Sequence, residues 1–279
     1  MQKTISQEIK IKGIGVHSGK EVLAIIKPAK VNSGIQFITP LGAIDVCVCN
    51  LDKSPMCTTL KNSSGAQVRT VEHFLAAAKS LGIDNLQVEL TEDEMPILDG
   101  SSIEFVEALK NNRIEQAKGI RTFKILKEIV VEENGKNVRF QPIEQGFEID
   151  VTCDFSNKNL GITNYKYIES EENFINEIAF CRTFGFEDEA KKILELGLAK
   201  GASLNNTVIF DNSGNPINDG GLRIEREFIR HKVLDVIGDT SVCGGKIIGK
   251  FIGYCPGHAI TAELMRKTFE DSKNYIELN

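Results

Sequence analysis

The run His231-Lys232-Val233-Leu234-Asp235-Val236-Ile237-Gly238-Asp239 repeats a polar, chemistry-bearing residue every fourth position. On a helix that spacing sets one imidazole and two carboxylates on a single stripe. Phe228, Ile229, Val233, Leu234, Val236 and Ile237 supply apolar surface, so the helix is expected to lie half inside the protein with its polar stripe in a cleft or at a domain boundary. An imidazole and a carboxylate one turn apart can grip a divalent cation from a rigid backbone, the logic behind the two histidines of H-E-x-x-H. Asp239, a turn further on, can orient a neighbouring ligand or charge. Solvated charges on any helix reproduce the same spacing, so spacing alone leaves both readings open.

Two other histidines extend the constellation. His73 follows Glu72 in the first turn of a helix expected to start near Thr70, whose hydroxyl is read as its cap, and to run to Gly82. His258 stands in a strand-to-helix turn, Cys255-Pro256-Gly257-His258-Ala259. Two histidines and an aspartate leave the fourth tetrahedral position of zinc for water, the pattern of a catalytic rather than a structural site, and Glu72 would then be a natural base for that water. Without a shared partner, Glu72 reads as an exposed acid beside a partly buried histidine, and His258 as a loop residue. His17, in the turn Gly13-Ile14-Gly15-Val16-His17-Ser18-Gly19, is read as a surface turn residue.

The elements that must position these groups fall into two layered halves within 279 residues. Strands are expected over 4–11, 21–26, 35–39 and 85–90, with helices from Thr70 and from Ser101 or Ser102 to Leu109. A polar connection over 111–119 marks a domain boundary, giving units 1–115 and 120–279. The second unit restarts with strands over 123–131, 137–143 and 147–155, the turn at Asn134-Gly135 making a hairpin. Helices over 173–179 and 187–196, a strand over 207–210, the His231 helix, a strand over 246–254 and a terminal helix from Ala259 follow. The fold class is α+β: two similar domains, each a sheet layered with helices, the active site between them.

Composition limits the partners. Thirty-three basic and 39 acidic residues give a charge of −6 with no long block of either sign, which argues against nucleic acid. No apolar run approaches the ~20 residues that span a bilayer, and the first residues lack the apolar core of a signal peptide. A cytoplasmic protein without stable membrane insertion is expected. Seven cysteines without a C-x-x-C pair are read as reduced, mostly buried thiols, Cys47 and Cys49 alternating along a strand.

Seven blocks occur in one order: Gly13 to Gly19, Thr70-Val71-Glu72-His73, Ile83-Asp84-Asn85, Pro96-Ile97-Leu98-Asp99-Gly100-Ser101, Arg182-Thr183-Phe184-Gly185-Phe186, His231 to Asp239, and Gly257-His258-Ala259. Together they resemble the signature blocks of the UDP-3-O-acyl-N-acetylglucosamine deacetylase family, over nearly the whole chain. The resemblance implies zinc bound by His73, His231 and Asp235, and hydrolysis of the 2-acetamido group of a UDP-linked, 3-O-acylated glucosamine to acetate and a free amine, which commits material to lipid A. The ligands suit iron as well as zinc.

It also implies roles for single residues. Glu72 takes a proton from water, Thr183 donates to the oxyanion, and His258, kept cationic by Asp239, stabilises negative charge or returns a proton to the amine, a task open to Glu72 as well. Lys232 contacts the polar head of the substrate, Phe184 and Met56 line its pocket, and Lys136, Asp154 and Phe155 hold nucleotide or sugar. Residues 187–210 correspond to an inserted passage for the acyl chain, with Ala199, Ala202, Leu204 and Ile209 as lining candidates. Cys255 departs from the pattern, standing where lysine or arginine is common. A monomer is expected. A zinc amidohydrolase of another acylated sugar, or a non-catalytic metal-binding protein, are the alternatives; the latter has no chemical need for Glu72, Thr183 and His258.

Overall fold

The structure is a computed structural model that describes residues 1–54 and 56–278. Alternation of apolar and polar side chains builds the first sheet: Val22, Ala24 and Ile26 of the strand Glu21–Pro28 turn inward, as do Leu86, Val88 and Leu90 of the strand Leu86–Leu90. Its five strands run Ile9–Ile14, Glu21–Pro28, Leu86–Leu90, Ile35–Thr39 and Gly42–Asp45 across the sheet. Helix α1 (Glu72–Ser80) and helix α2 (Ile103–Lys110) cover it, with Phe74 wedged between Phe37 and Phe105 at ring-centroid distances of 6.0 and 5.6 Å. Lys3–Ile5 and Arg113–Glu115 pair as a separate ribbon.

The second sheet has seven strands centred on Lys246–Tyr254. That strand runs antiparallel to Lys136–Gln141 and parallel to both Phe147–Phe155 and Thr122–Ile125. Helix α3 (Glu187–Glu195) belongs to an excursion bracketed by the paired short strands Phe184–Phe186 and Val208–Phe210. Helix α4 (Glu227–Ser241) is buried along most of its length, and helix α5 (His258–Glu270) closes the second half. The fold is α+β, each half a sheet with helices against it.

Helices α1 and α4 cross where the site is built, and Gly238 sets how closely. A Cβ there would lie 2.2 Å from the Glu72 carbonyl oxygen, and backbone cannot yield as a flexible side-chain tip can. Gly238→Ala is therefore expected to cost roughly 1–3 kcal/mol through forced separation of the helices, read as a lowered denaturation midpoint with an unchanged m-value.

Several expectations change. Thr70 does not cap α1: it sits in the left-handed region at φ 56°, its hydroxyl donates to Glu94 at 3.1 Å, and the helix starts at Glu72 without a side-chain cap. The strand expected over 123–131 is two strands, Thr122–Ile125 and Ile129–Glu133, because the chain leaves one neighbour for another. Cys47 and Cys49 are not alternating thiols of a strand; the chain turns helically at Val48–Asn50, which lets the two sulfurs meet in a disulfide. Cys57, Cys153, Cys181 and Cys243 are buried free thiols. Gly161–Ile168, an edge strand with only Tyr167 buried, and the terminal strand Tyr275–Leu278 went unread because neither presents an alternating apolar face.

Candidate metal centre and active site

Helix α4 presents His231 and Asp235 one turn apart, and α1 brings His73 to them across the Gly238 crossing. One donor atom from each lies within 4.8 Å of the others, all three residues buried. The Asp235 Oδ1 atom is 3.3 Å from His231 Nε2 and 3.9 Å from His73 Nε2. Ligand atoms about 2.1 Å from a tetrahedral zinc stand roughly 3.4 Å apart, close to the two distances from Asp235 Oδ1 to the imidazoles.

The protonation states suit the same purpose. His231 donates its Nδ1–H to the Cys181 carbonyl at 2.9 Å, which orients the ring with Nε2 toward Asp235. Burial, helped by His231, lowers His73 to about 3, so its ring is neutral across the physiological range. Burial works against the Asp235 charge, but Lys232, His231 and His258 outweigh it and hold the carboxyl well below its usual range. Lys232 Nζ donates to Asp235 Oδ2 at 2.9 Å and leaves Oδ1 to the imidazoles. Two imidazoles, that of His73 neutral, and a carboxylate form a donor set that fits a divalent transition metal.

Beside the triad stand two further buried titratable groups, Glu72 and His258. Glu72 is 3% exposed, and burial raises it to about 8. Its Oε1 lies 3.9 Å from His258 Nε2, while Oε2 accepts the Thr58 backbone N–H at 2.9 Å. His258 donates Nδ1–H to Asp239 at 3.0 Å. Burial opposes its charge, yet Asp239, Glu72 and Asp235 together raise it to about 10. A buried carboxyl raised by desolvation beside an imidazole raised by neighbouring carboxylates is the kind of perturbed pair that acid–base sites contain. Thr58, which sequence reading missed, contacts Glu72, Asp239 and His258; nothing in its local pattern marks it.

Residues 2–270 match the family model described as LpxC, UDP-3-O-acyl N-acetylglycosamine deacetylase. The chain belongs to this family. A UDP-3-O-acyl-N-acetylglucosamine deacetylase of Actinobacillus pleuropneumoniae serotype 3 (strain JL03) is 38% identical over 99% of this chain and 96% of its own length. The deacetylase of Pseudomonas entomophila (strain L48) is 37% identical over 97% of this chain and 91% of its own length. That of Legionella pneumophila (strain Corby) is 38% identical over 99% and 95%.

The remaining candidates of this family member are spread over several places. Phe184 and Phe155 meet at 5.7 Å in an aromatic cluster with Phe186, Phe210 and Phe228, and Lys232 Nζ sits 5.5 Å from the Phe184 ring centroid. Thr183 is half-buried, its backbone N–H donating to the Gly100 carbonyl at 2.7 Å. Ile209 packs opposite Gly185, whereas Ala202, Leu204 and Met56 are exposed, and Ala199 is half-buried in the left-handed region at φ 53°. Lys136 is exposed at a strand start; Asp154 accepts from the Ser156 N–H at 3.0 Å and the Tyr254 hydroxyl at 3.3 Å. Cys255 Sγ accepts the Asp154 N–H at 3.2 Å, which puts a thiol rather than a cation at that turn.

His17 is no surface residue. It is buried, its N–H donates to Glu94 at 2.7 Å, and its Nδ1 accepts the Ala199 N–H at 3.4 Å. Glu94, itself fully buried, gathers the His17 and Ser18 N–H groups and the Thr70 hydroxyl. The glycine turn is thereby pulled inward beneath the 184–210 excursion.

Proposed function

We propose that this chain is a zinc-dependent deacetylase that hydrolyses the 2-acetamido group of UDP-3-O-(3-hydroxyacyl)-N-acetylglucosamine to acetate and the free amine, the committed step toward lipid A. The observation that carries the reading is the meeting of Glu72 and His258 with the His73, His231 and Asp235 donor set in one buried place. The names of the relatives supply the substrate.

Zinc held by His73, His231 and Asp235 would supply the Lewis acidity that polarises an amide carbonyl and brings the pKa of water to about 7. Glu72 takes the proton of the attacking water. The C–O bond forms, the C–N bond breaks, and a proton delivered from Glu72 or from His258 Nε2 leaves with the amine. Thr183 donates to the oxyanion. Asp239 holds the His258 ring oriented and cationic. Lys232 reaches the polar head of the substrate, Lys136, Asp154 and Phe155 its nucleotide and sugar, and Met56 and Phe184 its pocket, while Ala199, Ala202, Leu204 and Ile209 line the acyl passage through residues 187–210. Units 1–115 and 120–279 face each other across this cleft, and the chain works as a cytoplasmic monomer.

The test is acetate release from that substrate. Zinc-replete protein is expected to release acetate and the amine in equal amounts, chelation to stop both, and zinc to restore them. A folded, zinc-loaded protein that leaves this substrate intact sinks the assignment and favours an amidohydrolase of another acylated sugar.

A further inference from the structure

Thr58 is the point at which the two halves of the acid–base group are tied together. It is 3% exposed and lies on the segment between the first sheet and α1, whereas Asp239 and His258 come from α4 and α5. Its backbone N–H donates to Glu72 Oε2 at 2.9 Å. Its hydroxyl donates to Asp239 Oδ1, the oxygen that also accepts His258 Nδ1–H at 3.0 Å. The same hydroxyl oxygen lies 3.3 Å from His258 Nδ1.

These contacts divide the labour among the carboxylate oxygens. With Oε2 occupied by Thr58, Glu72 has Oε1 left to face His258 Nε2, 3.9 Å away. With one proton, the Thr58 hydroxyl donates to Asp239 and turns a lone pair toward the His258 Nδ1–H. That fixes both the carboxylate and the ring it orients. A hydroxyl on a β-branched side chain holds one χ1 well more firmly than serine does, so the link is rigid as well as polar.

We propose that Thr58 is a positioning residue for this reaction: its hydroxyl sets the Asp239–His258 pair in register with Glu72, whose carboxylate its backbone holds. The inference rests on the deacetylase reading above. Thr58 bonds to Glu72, Asp239 and His258 rather than to His73, His231 or Asp235, so its loss is expected in kcat rather than in KM or metal content. A hydrogen bond to a charged group in a buried site corresponds to roughly ten- to a hundred-fold in rate.

The experiment compares Thr58→Ser with Thr58→Ala, which differ by the hydroxyl alone, and adds Thr58→Val as the isosteric variant. Expected results are a kcat reduced roughly ten- to a hundred-fold in Thr58→Ala and Thr58→Val, largely rescued in Thr58→Ser, with KM and bound zinc unchanged. Nitrogen-15 spectra of the four histidines, with His258 assigned by its disappearance in His258→Gln, are expected to show the His258 Nδ1–H signal moved in the alanine and valine variants and retained in serine. The spectra need no substrate, so they report on Thr58 even if the wild type proves inactive on the proposed one. An unmoved His258 signal in Thr58→Ala, or a Thr58→Ser variant as impaired as Thr58→Ala, overturns the role and leaves Thr58 a packing residue.

Discussion

Glu72→Gln is expected to keep zinc, keep the fold and lose deacetylation by roughly 10²–10⁴-fold, the range that general-base catalysis supplies. The amide can still accept the Thr58 N–H that Glu72 Oε2 accepts at 2.9 Å, so the local backbone keeps its partner. No ligand of the donor set is touched, because His73, His231 and Asp235 supply it. The stability effect has a definite sign. Burial raises Glu72 to about 8 from the ordinary 4.5, so between those values folding must retain a proton or carry a disfavoured charge, and the ionised side chain works against the metal-free fold. Glutamine removes that penalty. The metal-free variant should melt at or above the wild-type temperature near neutral pH while releasing almost no acetate. Activity within ten-fold of wild type in a zinc-loaded variant places the base elsewhere; a variant that has lost its zinc says that Glu72 supports the ligands.

How far the sequence revealed this site follows from which signals are local. The i, i+4 relation of His231 and Asp235 is a property of one helix and could be read directly. The approach of His73 is not: it depends on a crossing that Gly238 permits, visible only when the Glu72 carbonyl 2.2 Å from its missing Cβ is known. Adjacent Glu72 and His73 diverge on the helix, yet both are buried because α1 is enclosed on almost every side. Thr58 was illegible, since its partners lie 181 and 200 residues away and a threonine after a cysteine carries no pattern. His17 looked like a surface turn because glycine-rich turns usually are, but the buried carboxylate that draws it inward, Glu94, comes 77 residues later. The α+β class and the hairpin at Asn134-Gly135 were legible because alternation and left-handed turn residues are local; both turn residues have positive φ. Edge strands such as Gly161–Ile168 bury little and so leave a weak trace.

The second large effect concerns what holds His231 of the candidate donor set in place. Its Nδ1 partner is the Cys181 carbonyl, and the next residue, Arg182, is locked to Glu227 at the start of α4. Glu227 is fully buried and accepts the Arg182 Nε–H at 2.8 Å, the Arg182 backbone N–H at 2.9 Å and the Arg223 backbone N–H at 2.7 Å. Glu227→Ala leaves a guanidinium buried without its counter-charge and is expected to destabilise the protein by about 3–5 kcal/mol. Replacing the pair together, as Arg182→Met with Glu227→Leu, should recover only part of this. The buried Arg182 backbone N–H stays without its acceptor, costing about 1–3 kcal/mol, so an apolar pair cannot substitute fully for the carboxylate. The pH dependence has a fixed direction too. Burial pushes Glu227 up, but Arg182 and the backbone donors outweigh it and hold it below its ordinary 4.5. Its contribution is therefore present above the unfolded value and is lost as pH falls through the lower folded value. Denaturation midpoints measured from neutral to acid pH should fall less steeply in Glu227→Gln than in wild type. Equal slopes, or full recovery in the double variant, would show that the ion pair does not anchor this segment. Weaker zinc binding in Glu227→Ala under conditions where it remains folded would tie the anchor to the metal site through Cys181 and His231.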